Sequence, residues 1–107
     1  GRSDDMLIIR GVNVYPSQIE AVLIGRPMLA PHYQLVVDRQ GALDHVTIEV
    51  EAQPGVAAEA FPSIAHDVVH HIKSMVGIGT RVVVKLPGTI PRSQGKAVRV
   101  RDLRPKG

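Results

Sequence analysis

Apolar and polar positions follow two different rhythms along this chain, and the changes of rhythm mark out its elements. Polar, linker-like residues Gly1-Arg-Ser-Asp-Asp5 give way to an apolar run from Met6 to Ile9, which Arg10-Gly11 interrupts and Val12 to Tyr15 resumes. Two short apolar runs joined by two residues, one of them a glycine with the freedom a tight turn needs, predict a two-stranded ribbon. Pro16-Ser17 then opens a helical pattern, expected over Ser17 to Ile24, in which Ile19, Val22 and Leu23 share one face. Ser17 and Glu20 read as an S-x-x-E capping box, worth roughly 1 kcal/mol at the N-cap. Gly25 stops the helix and Arg26-Pro27 prevents its continuation.

Met28 to His32 reads as a connection, because two prolines bear on it. Tyr33 to Asp38 is a strand, Gln40-Gly41-Ala42 a turn, and His45 to Glu51 a second strand. In the second strand Val46, Ile48 and Val50 alternate with Thr47, Glu49 and Glu51, the period of two that a sheet with one wet face requires. Pro54-Gly55 ends this hairpin. A longer helix starts between Glu59 and Ser63 and ends at Val76, with Ile64, Val68, Ile72 and Val76 recurring every four residues and Val69 and Met75 widening the stripe. Gly77 is its C-terminal cap, and Lys73 suits the negative end of the helix dipole. Valine-rich Thr80 to Leu86 is a third strand. Thr89 to Lys96 is a polar loop, and Ala97 to Leu103 a last short extended piece. The order ββαββαβ predicts an α+β, two-layer domain: an N-terminal β-hairpin, then a mixed or antiparallel three-stranded sheet with two packed helices.

Size and composition narrow the function. With 107 residues, 44% hydrophobic and 21% charged, the chain makes one small ordered domain. There is no cysteine, which rules out disulfides and thiolate metal sites and fits a cytoplasmic protein. No apolar run reaches membrane-spanning length and no signal-peptide pattern opens the chain. A net charge of +3 and a pI near 9.7 suit nucleic acid or phosphorylated small molecules alike, but with 3% aromatic residues a stacking platform for single strands is disfavoured.

Two stretches carry candidate chemistry beyond the ribbon. Gly88-Thr-Ile-Pro-Arg-Ser-Gln-Gly-Lys96 has a phosphate-loop look, yet a Walker A motif needs glycine where Ile90 stands and Ser or Thr where Ala97 stands. What remains is Lys96, a flexible ammonium on a basic loop, fit to reach phosphate as a point charge. On the second helix His66 and His70 are spaced i, i+4 with Asp67 and His71 adjacent. Zinc could use that spacing, but no third ligand follows at motif distance, and a solvated polar face is the better reading. Arg99, Arg101 and Arg104 alternate with Val98, Val100 and Leu103 as an exposed basic edge would.

GRSDDMLIIRGVNVYPSQIE at one end and PRSQGK at the other together resemble the hinge-and-hairpin and lysine motifs of the C-terminal domain of AMP-forming acyl-CoA synthetases. The likeness spans the whole chain and is strongest to the phenylacetate–CoA ligase branch. It implies an interdomain hinge at 1–5 and a mobile domain at 6–107, the large N-terminal adenylation domain being absent. It also implies an enzyme that activates an aryl carboxylic acid with ATP and Mg2+ and then transfers the acyl group to CoA, the fragment being inactive alone. By the same resemblance Lys96 contacts the carboxylate and α-phosphate, Arg2 the nucleotide ribose, and Asp4 is the hinge about which the domain rotates. Gly11 lets the pantetheine arm pass the backbone, with Asn13 beside it on the CoA path where many acyl-CoA synthetases carry arginine. The competing expectation is a freestanding basic domain that binds RNA or protein through its arginine-rich edge.

Overall fold

Ile9 and Val12 face each other across the Arg10-Gly11 turn, closing an antiparallel ribbon of β1 (Leu7–Ile9) and β2 (Val12–Val14). The computed structural model describes residues 6–90 and 100–104; Arg2, Asp4 and Lys96 lie outside the described residues, as does Arg99. Both turn residues have positive φ, 48° at Arg10 and 79° at Gly11, the combination whose twist matches the strands it joins. Glycine adopts this backbone readily, whereas for arginine the left-handed region costs roughly 1–2 kcal/mol.

Helix α1 (Pro16–Ile24) begins one residue earlier than expected. Proline at its first position is already set in helical φ and holds the preceding Tyr15 extended, so Tyr15 becomes the N-cap. The anticipated Ser17/Glu20 box is therefore replaced. The Tyr15 backbone N–H donates to Gln18 Oε1 at 3.2 Å, while Glu20 Oε1 accepts the Tyr33 hydroxyl at 2.6 Å. The helix ends at Ile24 with Gly25 as its C-cap, as expected, although Gly25 keeps right-handed dihedrals (φ −73°), and Pro27 prevents further continuation.

Strand β3 (Leu29–Gln40) starts four residues before the expected Tyr33 and runs through Pro31. Proline is tolerated there because the pairing with β4 (Leu43–Ala52) is irregular between Leu29 and Tyr33, and a bulge needs no N–H at every position. After a short 3-10 turn at Ala58–Ala60, helix α2 (Phe61–Val76) returns the chain to β5 (Arg81–Lys85), parallel to β4. Gly77 caps α2 in the left-handed conformation, φ 93°. A three-residue strand, β6 (Val100–Asp102), pairs in parallel with β3, so among the described residues the sheet has four strands in the order β5-β4-β3-β6 rather than the expected three.

Ile19, Val22 and Leu23 of α1 and Ile64, Val68 and Ile72 of α2 are buried together with Leu35, Val37, Val46, Ile48 and Val50 of the sheet, and the ribbon contributes Ile9 and Val14. This is the predicted two-layer α+β arrangement. Met75, expected to widen the α2 stripe, is 63% exposed in the last turn. Among the described residues no helix is long and apolar enough to cross a membrane.

Candidate functional site at the hairpin tip

A ribbon of two three-residue strands has little stability of its own, so its orientation depends on what holds it to the sheet. Arg10 and Arg104 do this, around Asp44 at the start of β4, whose carboxylate Arg39 of β3 also engages. Arg10 Nη1 donates to the Asp44 carbonyl at 2.8 Å and Nη2 to the Gly79 carbonyl at 2.7 Å. Arg104 Nη1 donates both to the Ile8 carbonyl on the ribbon, at 2.7 Å, and to Asp44 Oδ2, at 2.9 Å. Arg39 Nε reaches Asp44 Oδ1 at 2.7 Å. Arg104 is itself oriented by a two-point contact with Asp102 on β6, Nε at 2.9 Å and Nη2 at 2.8 Å, the planar match of guanidinium and carboxylate.

These contacts move the local proton equilibria. Hydrogen bonds from Arg39 and then Arg104 hold the Asp44 carboxyl below the ordinary carboxylate range, against the opposing effect of desolvation. Arg104 lowers Asp102 in the same way, and Asp102 in return pushes the already high pKa of Arg104 further up. Asp44, Asp102 and Arg104 are therefore charged at neutral pH. Beside it, a cleft of about 620 Å³ opens between the ribbon and the β3–β4 end of the sheet, with Arg10, Gly11, Arg39 and Arg104 on its walls.

Gly11 stands at the exposed tip. Among the described residues a Cβ at that position would meet nothing within 4 Å, so its backbone faces open space there. Glycine is required there by its positive φ rather than by crowding within the domain. Asn13 is exposed on β2, opposite Ile8 in the register, and both belong to the outward side of the ribbon.

A second arrangement lies at the other end of the sheet. Glu51, expected on the wet side of its strand, is 1% exposed. The bulge of β3 stands opposite it, which breaks the alternation of β4, and its carboxylate accepts the backbone N–H groups of Gly88 (2.9 Å) and Ile90 (2.8 Å). Ile90 is the last described residue before the segment that carries Lys96. Neither Glu51 nor the Asp44 cluster stands out in the sequence, since each acquires its role from partners far along the chain.

The histidines on α2 do not converge. His66 and His70 are exposed, and Asp67 is engaged by Arg26 at 3.0 Å, which lowers its pKa, while His71 Nδ1 lies 2.9 Å from the Asp67 carbonyl. Among the described residues no three His, Asp or Glu side chains are grouped to hold a metal ion. The basic-edge reading also needs correction. Arg101 is exposed, but Arg104 is committed to Asp44, Asp102 and the ribbon, which removes it from a surface that could meet RNA.

Residues 11–104 match the family described as the AMP-binding enzyme C-terminal domain. The chain is 52% identical over 107 residues to phenylacetate-coenzyme A ligase of Escherichia coli (strain K12), covering 97% of the chain and 24% of that relative. It thus spans about a quarter of the length of the curated relatives it matches. Among solved structures it is similar to a domain of phenylacetate-coenzyme A ligase from Bacteroides vulgatus ATCC 8482 (TM-score 0.89, 28% identity, 100% of both chains). It is also similar to 2-hydroxyisobutyryl-CoA ligase in complex with 2-HIB-AMP and CoA in the thioesterification state (TM-score 0.86, 34% identity, 97% of this chain and 22% of that one).

Proposed function

Because the chain belongs to the AMP-binding enzyme C-terminal domain family, we propose that it is the mobile domain of an acid–CoA ligase that forms an acyl-adenylate from ATP and then a thioester with CoA. An aryl acid of the phenylacetate type is the substrate class, by likeness to the relatives' named activity. The larger N-terminal adenylation domain is its working partner and holds the acid pocket. The cytoplasm, where ATP and CoA are at hand, is its place.

The observation that carries this reading is the hairpin tip: an exposed glycine with open space outside its backbone among the described residues, on a ribbon pinned by Arg10 to the Asp44 and Gly79 carbonyls and by Arg104 through the Ile8 carbonyl. In the first step a carboxylate oxygen of the acid bonds to the α-phosphorus of ATP and pyrophosphate leaves with the electrons of the broken P–O bond. Negative charge gathers on phosphate and carboxylate, and Lys96 is the cation assigned to it, with Arg2 on the ribose. In the second step the CoA sulfur bonds to the acyl carbon, the C–O bond to phosphate breaks, AMP leaves with the bonding pair, and the thiol proton passes to solvent. That step needs a surface along which a thin arm can lie, and Gly11 supplies it by presenting no side chain. Asn13 offers an amide beside that path but no charge for a phosphate. Rotation about Asp4 would bring the two surfaces to the partner domain in turn.

Mg2+ accompanies ATP phosphates, but no grouped set of carboxylate or imidazole ligands is present for it among the described residues, and no step is assigned to it in this domain. The test is Gly11→Leu in the full-length ligase. Acyl-adenylate formation, followed by ATP–pyrophosphate exchange, should persist while acyl-CoA formation is lost. A normal rate of acyl-CoA formation with leucine at the tip would remove Gly11 from the CoA path.

A further inference from the structure

Arg10 is an unexpected residue for its place. The first central position of a two-residue turn of this hand favours Asn, Asp or Gly, because φ is positive there. Arginine at φ 48° bears a conformational cost that the turn itself does not explain. Its side chain does. One guanidinium joins two backbone carbonyls from separate parts of the domain, Asp44 at the head of β4 and Gly79 in the connection from α2 to β5, which are 34 and 69 residues away in sequence. Both named donors are taken up by backbone carbonyls of the domain, so the guanidinium, although exposed at the cleft, is engaged structurally.

We propose that Arg10 is a positioning residue for thioester formation, holding the Gly11 turn against the sheet so that the CoA arm meets backbone at one fixed place. The proposal rests on the role given to Gly11 above. Arg104 fixes the ribbon lower down, through the Ile8 carbonyl, and Ile9 and Val14 anchor its inner side in the core. None of these grips the tip itself. Without the Arg10 guanidinium the turn keeps its hydrogen-bonded pairing but can swing as a short lever about the buried Ile9. A displacement on the order of 1 Å at a positioning surface lowers turnover by about 100-fold. Adenylation uses the opposite motif, so it should be indifferent to the change.

The experiment uses the full-length ligase with Arg10→Gly and Arg10→Lys. Glycine removes the guanidinium and also suits the positive φ, so the ribbon stays folded and loss of function is not a folding defect. Two rates are read separately: ATP–pyrophosphate exchange, and acyl-CoA formation from supplied acyl-adenylate over a range of CoA concentrations. The expected result for Arg10→Gly is exchange within about twofold of wild type and kcat/KM for CoA lowered by about 10- to 100-fold. Lysine, able to reach one carbonyl, should recover part of that loss. CoA turnover within twofold of wild type in Arg10→Gly would overturn the proposal, and so would an equal fall in both half-reactions. If the unsubstituted ligase makes adenylate but no acyl-CoA, the Gly11 reading fails and takes the Arg10 role with it, a result distinct from a silent Arg10→Gly.

Discussion

Glu51 offers the clearest energetic test of the fold. Replacing it with alanine leaves the Ile90 N–H, which is buried, without its carboxylate acceptor, and deprives the partly exposed Gly88 N–H of a charge-assisted bond. An unsatisfied buried donor costs about 1–3 kcal/mol, and a hydrogen bond to a charged group contributes about 1.5 kcal/mol even where water can replace it. The expected loss for Glu51→Ala is therefore about 3 kcal/mol, which in a domain of this size lowers the thermal midpoint by roughly 12–24 °C. Glu51→Gln keeps the volume and one acceptor oxygen but turns an NH2 group toward the second donor, so about half that shift is expected. Circular dichroism melting of the 107-residue domain measures both variants, and amide exchange at Gly88 and Ile90 locates the change. A Glu51→Ala midpoint within about 2 °C of wild type would show that the carboxylate contributes nothing net to holding this segment.

Further expectations concern the two working surfaces. Lys96→Ala in the full-length ligase should lower adenylation by about 100- to 1,000-fold while sparing CoA attack on supplied acyl-adenylate; equal loss of both steps, read by pyrophosphate exchange and acyl-CoA formation, would contradict its assignment. Asp44 and Asp102 titrate below their ordinary 3.8 in the folded domain, so their pairs contribute in full above that value and are lost as pH falls through the lower folded-state values. The protection of the β1 and β2 amides, measured as exchange relative to the intrinsic rate at each pH, should thus stay constant from neutral pH down to about pH 5 and fall below about pH 4. Asp44→Asn should flatten that dependence, and an unchanged acid profile in the variant would count against the cluster as the ribbon's anchor.

How much was legible in advance depended on whether the signal was local. The Ile19, Val22, Leu23 and Ile64, Val68, Ile72 stripes reported the two helices because a 3.6-residue period needs no partner to be seen. The alternation of Val46, Ile48 and Val50 likewise reported a strand, and Arg10-Gly11 between two apolar runs reported a turn. Prolines misled at both ends of one segment. Pro16 moved the helix start from Ser17 to itself, and Pro31 suggested a connection where a bulge lets β3 pass.

From its order of residues alone, then, this protein was bound to form two amphipathic helices, a glycine-turned ribbon and an alternating hairpin, because each follows from the spacing of apolar side chains within a dozen residues. Folding in three dimensions decided that Glu51 is buried rather than solvated, that β6 completes a four-stranded sheet, and that Arg10, Arg39, Arg104, Asp102 and Asp44 meet beneath the ribbon. Those outcomes depend on hydrogen bonds between groups up to 96 residues apart, and no local period encodes a partner at that distance.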